Sequence, residues 1–336
     1  MNYNKIVQGI LDIGEAMLQS GAENFRLEDS FYRMCRSYGF KRSDVFVIPS
    51  NIQVTVETPE GEIITQIRHI ESSEPNFDQL DYLNNLCRYV CQHTPDENEM
   101  REKYLEVINR EPQKRITRYA AGIMGGTGFA VFFGCNLRDA VIAFIVSVMI
   151  VAVGDWLAKR ESNLLVYNGI LAFISEVIII GALKMGIAEH PDRIMIGIVM
   201  LLISGLSTTN GIRDLLQRDF ISGFINIMNS FLGAAGIAFG IGLAIILFHE
   251  GYSDHFILNH SVPIQLLSCT VACTGFALWF KIRGKQVWYN SIGAFFTWAI
   301  YVAVYAVKPS NFLATMIAAG FVGFYAFIMS RVNKAP

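Results

Sequence analysis

Positive charge is scarce in this sequence. Its 336 residues include 27 lysines and arginines against 29 aspartates and glutamates, which gives a formal net charge of −2. Neither half of the chain concentrates enough basic residues to form a nucleic-acid-binding surface. No Walker-type GxxxxGK[ST] segment occurs, which argues against an ATP-driven pump within this chain. We therefore expect no nucleic-acid partner and no cofactor.

Cysteine is also sparse, with six residues in the whole chain. Cys87 and Cys91 are four residues apart, as are Cys269 and Cys273. Such pairs share one face of a helix and favour packing there, and no second ligand cluster with zinc spacing accompanies them. We therefore predict no metal site. An enzyme in the N-terminal part would have polar candidates but no evident nucleophile–base pair, so we also expect that the protein is not an enzyme.

Hydrophobic residues are abundant, at 52% of the chain, and they are unevenly placed. Residues 1–110 hold 11 lysines and arginines against 18 aspartates and glutamates, whereas residues 111–336 hold 16 against 11. The apolar runs that could cross about 30 Å of hydrocarbon all lie in the second part. The sequence therefore predicts an acidic, water-soluble segment followed by a membrane domain.

The N-terminal segment, residues 1–112, reads as a small cytoplasmic α+β domain. Four helical stretches are predicted near 3–19, 23–38, 76–92 and 96–110. Between them, DVFVIPS, NIQVTVET and EIITQIRHI alternate apolar and polar residues, as strands do. The sequence Thr58-Pro59-Glu60-Gly61 predicts a tight turn between the last two strands.

The remaining residues predict an α-helical polytopic membrane protein with about eight spans. The spans lie near 117–134, 138–157, 164–186, 193–209, 219–248, 263–282, 286–307 and 310–331. With the N-terminus inside, twelve basic residues fall on the inner side and four on the outer side, as the positive-inside rule requires. We expect a multi-pass protein of the bacterial cytoplasmic membrane, with both ends of this chain in the cytoplasm.

The membrane domain contains an internal repeat. Thr127-Gly128-Phe129-Ala130-Val131-Phe132-Phe133 recurs as Thr274-Gly275-Phe276-Ala277-Leu278-Trp279-Phe280, 147 residues later, and Ser162-Asn163-Leu164-Leu165 recurs as Ser310-Asn311-Phe312-Leu313 at offset 148. A unit of five spans, an odd number, predicts two copies of inverted topology, as in secondary transporters. The first copy would be 113–250. The second, 251–336, has three spans, so we expect missing C-terminal spans or a second membrane subunit to complete it.

The fourth span loses its apolar character early, in the stretch LLISGLSTTNGIRDLL at residues 201–216. Ser204-Gly205 predicts a break in the helix, and a break inside a membrane must find partners for its freed backbone groups. In repeat transporters such breaks bind the charged ends of substrates. The alternative is a helix that ends at the cytoplasmic interface. The substrate-binding residues predicted here and on the fifth span are Ser204, Gly205, Thr208, Thr209, Asn210, Asn226 and Asn229.

Glu176 lies near the middle of the third span, within LAFISEVIIIG. A carboxylate there costs several kcal/mol unless it is paired, protonated or facing water. We predict that Glu176 is the proton-coupling residue. The alternative is a structural hydrogen bond from a protonated glutamate to a neighbouring helix.

Two stretches resemble the threonine/serine exporter family of bacterial membrane proteins. They are LQSGAENFRLEDSFYRMCRSYG, residues 18–39, and MLLISGLSTTNGIRDLLQRDFISGF, residues 200–224. Ser204 stands where the family usually has proline. The resemblance implies efflux of small hydroxy amino acids driven by the proton motive force, and it implies a gate or structural motif formed by Glu23, Arg26, Glu28, Arg213 and Asp214.

The resemblance leaves other functions open. A related two-subunit branch of the family is implied to export dicarboxylates such as succinate, and an uncoupled channel or sensor is a further possibility. The expected partners are a small amino acid or carboxylate substrate, the lipid bilayer and further copies of the chain in a homo-oligomer.

Overall fold

The computed structural model describes residues 2–71, 74–248 and 261–333. The elements at the N-terminal end are α1 (Tyr3–Gln19), α2 (Asn24–Ser37), β1 (Arg42–Ile48), β2 (Asn51–Glu57), β3 (Ile63–His69), α3 (Phe77–His93) and α4 (Glu97–Ile108). They are followed by α5 (Arg115–Phe132), α6 (Leu137–Leu157), α7 (Leu164–Lys184), α8 (Pro191–Leu202), α9 (Gly205–Leu216), α10 (Phe220–Phe248), α11 (Val262–Trp279), α12 (Lys285–Val307) and α13 (Asn311–Asn333).

The chain divides into two compact units, each described here by itself. The first unit consists of the described residues up to Pro112 together with Leu206–Met228, and the second consists of Gln113–Gly205 and the described residues from Asn229 onward. The division that the sequence predicts, at 112 and at 250, stays a prediction. The unexpected feature is that α9 and the start of α10 pack with the N-terminal residues.

The first unit contains the predicted strands as an antiparallel sheet in the order β1-β2-β3. Ile52, Val54 and Val56 alternate along β2 and are buried against the helices, so one face of the sheet forms part of the core. The predicted turn joins β2 to β3, with the amide of Gly61 donating to the carbonyl of Thr58 at 2.9 Å. Gly61 adopts φ +91°, which glycine accepts without strain.

The second unit is helical, and α5 packs against α6, α8 and α11. Glycines on α5 and α8 allow this close approach, since a Cβ at Gly197 would lie 2.5 Å from the backbone of Ala130. Helices α7 and α10 meet in the same way, because a Cβ at Gly240 would lie 2.3 Å from the carbonyl oxygen of Gly169. Asn168 on α7 also donates to the carbonyl of Gly233 at 3.3 Å.

Six helices of the described chain are long and apolar enough to cross a membrane, namely α6, α7, α10, α11, α12 and α13. The pair α8 and α9 would add a seventh span if it crosses as one broken element. Helix α5, which begins at Arg115 and is rich in glycine, is helical where the first span is predicted but is not in this set. The chain is thus a polytopic helical membrane protein, and the count of eight spans stays a prediction.

Candidate functional site

A break separates α8 from α9 where the sequence predicts one. Helix α8 ends at Leu202, Ile203 is extended at φ −69° and ψ 131°, and α9 begins at Gly205. The hydroxyl of Ser230 on α10 donates to the carbonyl of Ser204 at 3.2 Å. The carbonyl of Ser204, at the break, is therefore bonded by a side chain, which a break inside a membrane would need.

The hydroxyl and amide side chains predicted to bind substrate lie on two helices. Thr208, Thr209 and Asn210 occupy the first two turns of α9, with Thr209 exposed and the other two half-buried. Asn229 is exposed on α10, whereas Asn226 is half-buried and donates to the carboxylate of Asp214 at 3.0 Å. The amide of Asn226 is thus engaged within the protein, and the substrate-binding role of all these residues stays a prediction.

The two stretches that carry the family resemblance meet inside the first unit. The guanidinium of Arg213, on α9, pairs with the carboxylate of Glu23. Glu23 is the residue that precedes α2, and its other oxygen lies 3.2 Å from Nε of Arg26. Three residues that the family resemblance implies belong to one motif are therefore joined as an Arg–Glu–Arg arrangement, although 190 residues separate Arg213 from Glu23.

Asp214, the neighbour of Arg213, is 3% exposed. Its Oδ2 atom accepts hydrogen bonds from the amide of Asn226 at 3.0 Å and from the amide of Asn24 at 3.4 Å. Asn24 is itself 4% exposed and begins α2. A buried carboxylate needs such donors, because leaving it without them carries the full desolvation penalty.

Asn24 was not among the site residues predicted from the sequence. It follows Glu23 directly, so its position within the motif was the available signal. Asparagine at the start of a helix is commonly a helix-capping residue. That local explanation gives no reason to expect a contact with a residue far away in the sequence. Its partner, Asp214, is distant in sequence and becomes visible only in the folded chain.

Glu28 lies on α2 beside the outer strand of the sheet. Its carboxylate accepts the backbone amide of Val47 at 3.3 Å, and the carbonyl of Val47 accepts the hydroxyl of Ser222 at 3.3 Å. Burial raises the pKa of Glu28 above its usual value, the Val47 amide opposes that rise, and the charges of Asp219 and Asp214 add to it. Ser222 is fully buried at the start of α10, where its own amide donates to Asp219 at 3.3 Å.

Glu176 belongs to the second unit and is 1% exposed on α7. The cluster around Asp214 belongs to the first unit, so the predicted proton-coupling residue and the predicted gate motif lie in different compact parts of the chain. Within the described residues, no group of three histidine, cysteine, aspartate or glutamate side chains is arranged to hold a metal ion.

Comparison with known proteins agrees with the resemblance. The sequence profile of the threonine/serine exporter family matches residues 8–248, and a second threonine/serine exporter profile matches residues 265–336. A threonine/serine exporter of Corynebacterium glutamicum is 24% identical over 245 residues, which are 70% of this chain and 50% of that protein. The chain thus spans about half the length of the curated relative it matches.

No solved structure matches this chain. The assignment therefore depends on the two family profiles, the first of which covers well over half of the residues and includes both motifs. It also fits the apolar helices described above. The chain is a multi-pass membrane protein that belongs to the threonine/serine exporter family.

Proposed function

We propose that this chain is a secondary exporter of threonine, serine or similar small hydroxy amino acids, driven by the proton motive force. The observation that carries the proposal is the break between α8 and α9, in a chain that belongs to this family. Hydroxyl and amide groups follow the break at Thr208, Thr209 and Asn210. Such groups can bind the carboxylate and hydroxyl of an amino acid where a broken helix leaves polar backbone exposed to a ligand.

Glu176 is the proposed proton-coupling residue. It is almost fully buried within an apolar helix, and a carboxyl group in that setting is stable when it is protonated or well paired. A group that binds a proton in one state of the transporter and releases it in another would couple proton entry to substrate exit. It lies on α7, a helix that packs closely on α10.

Reciprocal contacts between α5 and α11 support the proposed inverted repeat. A Cβ at Gly128 would lie 3.0 Å from Ala272, and a Cβ at Gly275 would lie 2.5 Å from the amide nitrogen of Gly125. Shifting each residue of one pair by the repeat offset of 147 gives the other pair. Self-matching contacts of this kind are expected around a two-fold axis.

The ring contact at the same crossing has the same symmetry. Phe129 and Phe276 differ by the repeat offset, and their ring centroids are 5.5 Å apart. From one glycine contact of α5 and α11 to the next, the residue number on α5 decreases while the residue number on α11 increases. The two helices are therefore antiparallel, as inverted copies would be. We include in the proposal a cytoplasmic location for both ends of this chain in a bacterial inner membrane, and completion of the transporter by further spans or subunits.

Transport into inside-out vesicles that contain the full chain, together with the further spans or subunit that complete it, tests the proposal. An acidic vesicle interior reproduces the inward proton gradient of a cell, so labelled threonine should accumulate and an uncoupler should abolish the accumulation. Glu176→Gln should lower the gradient-driven rate about tenfold or more, since it removes a proton-binding group from the coupled step. Glu106→Gln, on the exposed surface of α4, is the matched control and should transport at the parent rate.

Three outcomes would contradict parts of the proposal. Accumulation of labelled succinate but not of threonine would show that the substrate class is wrong. Gradient-driven threonine transport that is unchanged in Glu176→Gln would keep the exporter and remove the proton site. Threonine transport that does not depend on the proton gradient would instead indicate a channel.

A further inference from the structure

Two consecutive residues at the start of α2 meet two consecutive residues on α9. Glu23 pairs with Arg213, and Asn24 donates to Asp214. The first contact is a half-exposed ion pair, with 44% of the Arg213 side chain accessible, so solvent weakens it. The second lies between side chains that are 3% and 4% exposed, where a hydrogen bond to a charged group is stronger.

The carboxylate of Asp214 is held from both sides. Asn226 on α10 donates to the same Oδ2 atom that Asn24 contacts from α2. Helices α9 and α10 also touch through backbone, since a Cβ at Gly211 would lie 3.0 Å from the carbonyl oxygen of Gly223. Movement of α9 relative to α10 would break the bond from Asn226, and movement of α9 relative to α2 would break the bond from Asn24.

Asp214 shares a helix face with Asn210, one of the residues proposed to contact substrate. Asn210 lies four residues before Asp214, so the two side chains fall on one side of α9. Fixing the side chain of Asp214 therefore fixes the rotation of α9 about its own axis. That rotation determines the direction in which Asn210 and its neighbours point.

We propose that Asn24 is a positioning residue that sets the rotation of α9, and through it the orientation of the substrate-contacting groups, by holding Asp214. This inference rests on the proposed function for its effect on transport. It gives the N-terminal residues a specific task, which is to orient a helix that follows the break in the membrane domain.

A label on α9 tests the geometry without any transport measurement. Thr209 is exposed, so Thr209→Cys in the full chain can carry a nitroxide whose mobility reports the orientation of α9. We expect Asn24→Ala to change the spectrum of that label. Asn98→Ala, an exposed asparagine near the start of α4, should leave the spectrum unchanged. A parent-like spectrum in Asn24→Ala would overturn the inference whether or not the chain transports threonine.

A residue swap distinguishes positioning from general damage to the fold. Asn24→Asp alone places two carboxylates against each other and should raise the KM for threonine about tenfold or more, the size expected from losing a hydrogen bond to a charged group. Combining Asn24→Asp with Asp214→Asn restores a carboxylate–amide pair and should return KM to within about twofold of the parent, with the parent label spectrum. A double variant no better than the worse single variant would overturn the inference.

Discussion

Asp214 is buried and Glu28 is half-buried, and the fold supplies hydrogen-bond donors to both carboxylates. Each is bonded by donors that come from a different part of the chain: Asn24 and Asn226 for Asp214, and the amide of Val47 for Glu28. The charges of Asp214 and Asp219 add to the effect of burial on Glu28. The protonation of these carboxyl groups and the packing of the first unit therefore affect each other.

The unfolding of the protein should depend on the protonation of Glu28. Because its pKa is raised in the folded chain, the folded state binds this proton more tightly than the unfolded chain does. Glu28 therefore adds to the free energy of unfolding at pH values below its ordinary pKa of 4.5. This contribution is lost as the pH rises through the raised pKa. The Tm of the full chain in detergent should therefore fall as the pH rises from about 4.5 to about 7. We expect Glu28→Gln to remove the part of that fall that Glu28 causes.

The matched control for that measurement is Glu106→Gln, which changes an exposed glutamate on α4. It should keep the slope of the parent protein. An identical slope in the parent and in Glu28→Gln would show that Glu28 does not contribute to the pH dependence of unfolding.

Helices α7 and α10 illustrate how single elements are joined in this chain. Their contact is made by backbone against backbone at Gly169, Gly236 and Gly240, with Asn168 donating to the carbonyl of Gly233. Small residues permit such close approach between membrane helices, where packing rather than the hydrophobic effect drives association. The amphipathic patterns that define helices of soluble proteins give little indication of which membrane helices pack against each other.

A pair of glycine substitutions on α10 tests this contact. A methyl group at Gly240 would lie 2.3 Å from the carbonyl oxygen of Gly169 and 2.9 Å from the amide nitrogen of Phe173, whereas nothing lies within 4 Å of a methyl group at Gly242. We expect Gly240→Ala to lower stability by about 1–3 kcal/mol through overpacking. Gly242→Ala, with the same gain in helix propensity, should be neutral or slightly stabilising in thermal unfolding. Equal Tm values for the two variants would contradict the packing argument.

The elements show which features can be predicted from local sequence. Thr58 to Gly61 form the predicted turn, because turn chemistry acts over a few residues. The helix break lies at Ile203 and Ser204, which overlaps the predicted Ser204-Gly205, and Gly205 is the first residue of α9. The contacts Asn24–Asp214 and Ser222–Val47 span 190 and 175 residues. No local pattern encodes such pairs. The two motifs contain the residues at both ends of these contacts, but only the folded chain shows that the residues meet.

Taken as one molecule, the chain combines apolar helices with basic residues on one predicted side of the membrane. Lys159 lies between α6 and α7, on the side predicted to be cytoplasmic, and Lys308 lies between α12 and α13, on the side predicted to be outside. Both side chains are exposed. The predicted topology rests on the balance over all loops and ends, with twelve basic residues on the inner side and four on the outer side, because loops rich in positive charge tend to remain in the cytoplasm during insertion.

Labelling in intact cells checks this topology. A membrane-impermeant maleimide should react with Lys308→Cys and not with Lys159→Cys, and both should react once the cells are permeabilised. The parent chain provides the background from its own cysteines, of which Cys91, Cys269 and Cys273 are partly exposed. Labelling of Lys159→Cys in intact cells would show that the predicted orientation is inverted.

The bond between Ser222 and Val47 has a consequence for biosynthesis. Strand β1 is at the edge of the sheet, and an open edge can pair with a strand of another chain. In the folded protein Glu28 and Ser222 occupy the amide and carbonyl of Val47. Ser222 leaves the ribosome 175 residues after Val47, which takes roughly 10–35 s at ordinary translation rates. During that interval the carbonyl of Val47 lacks this partner, and the nascent chain is most open to strand pairing with its neighbours on a polysome.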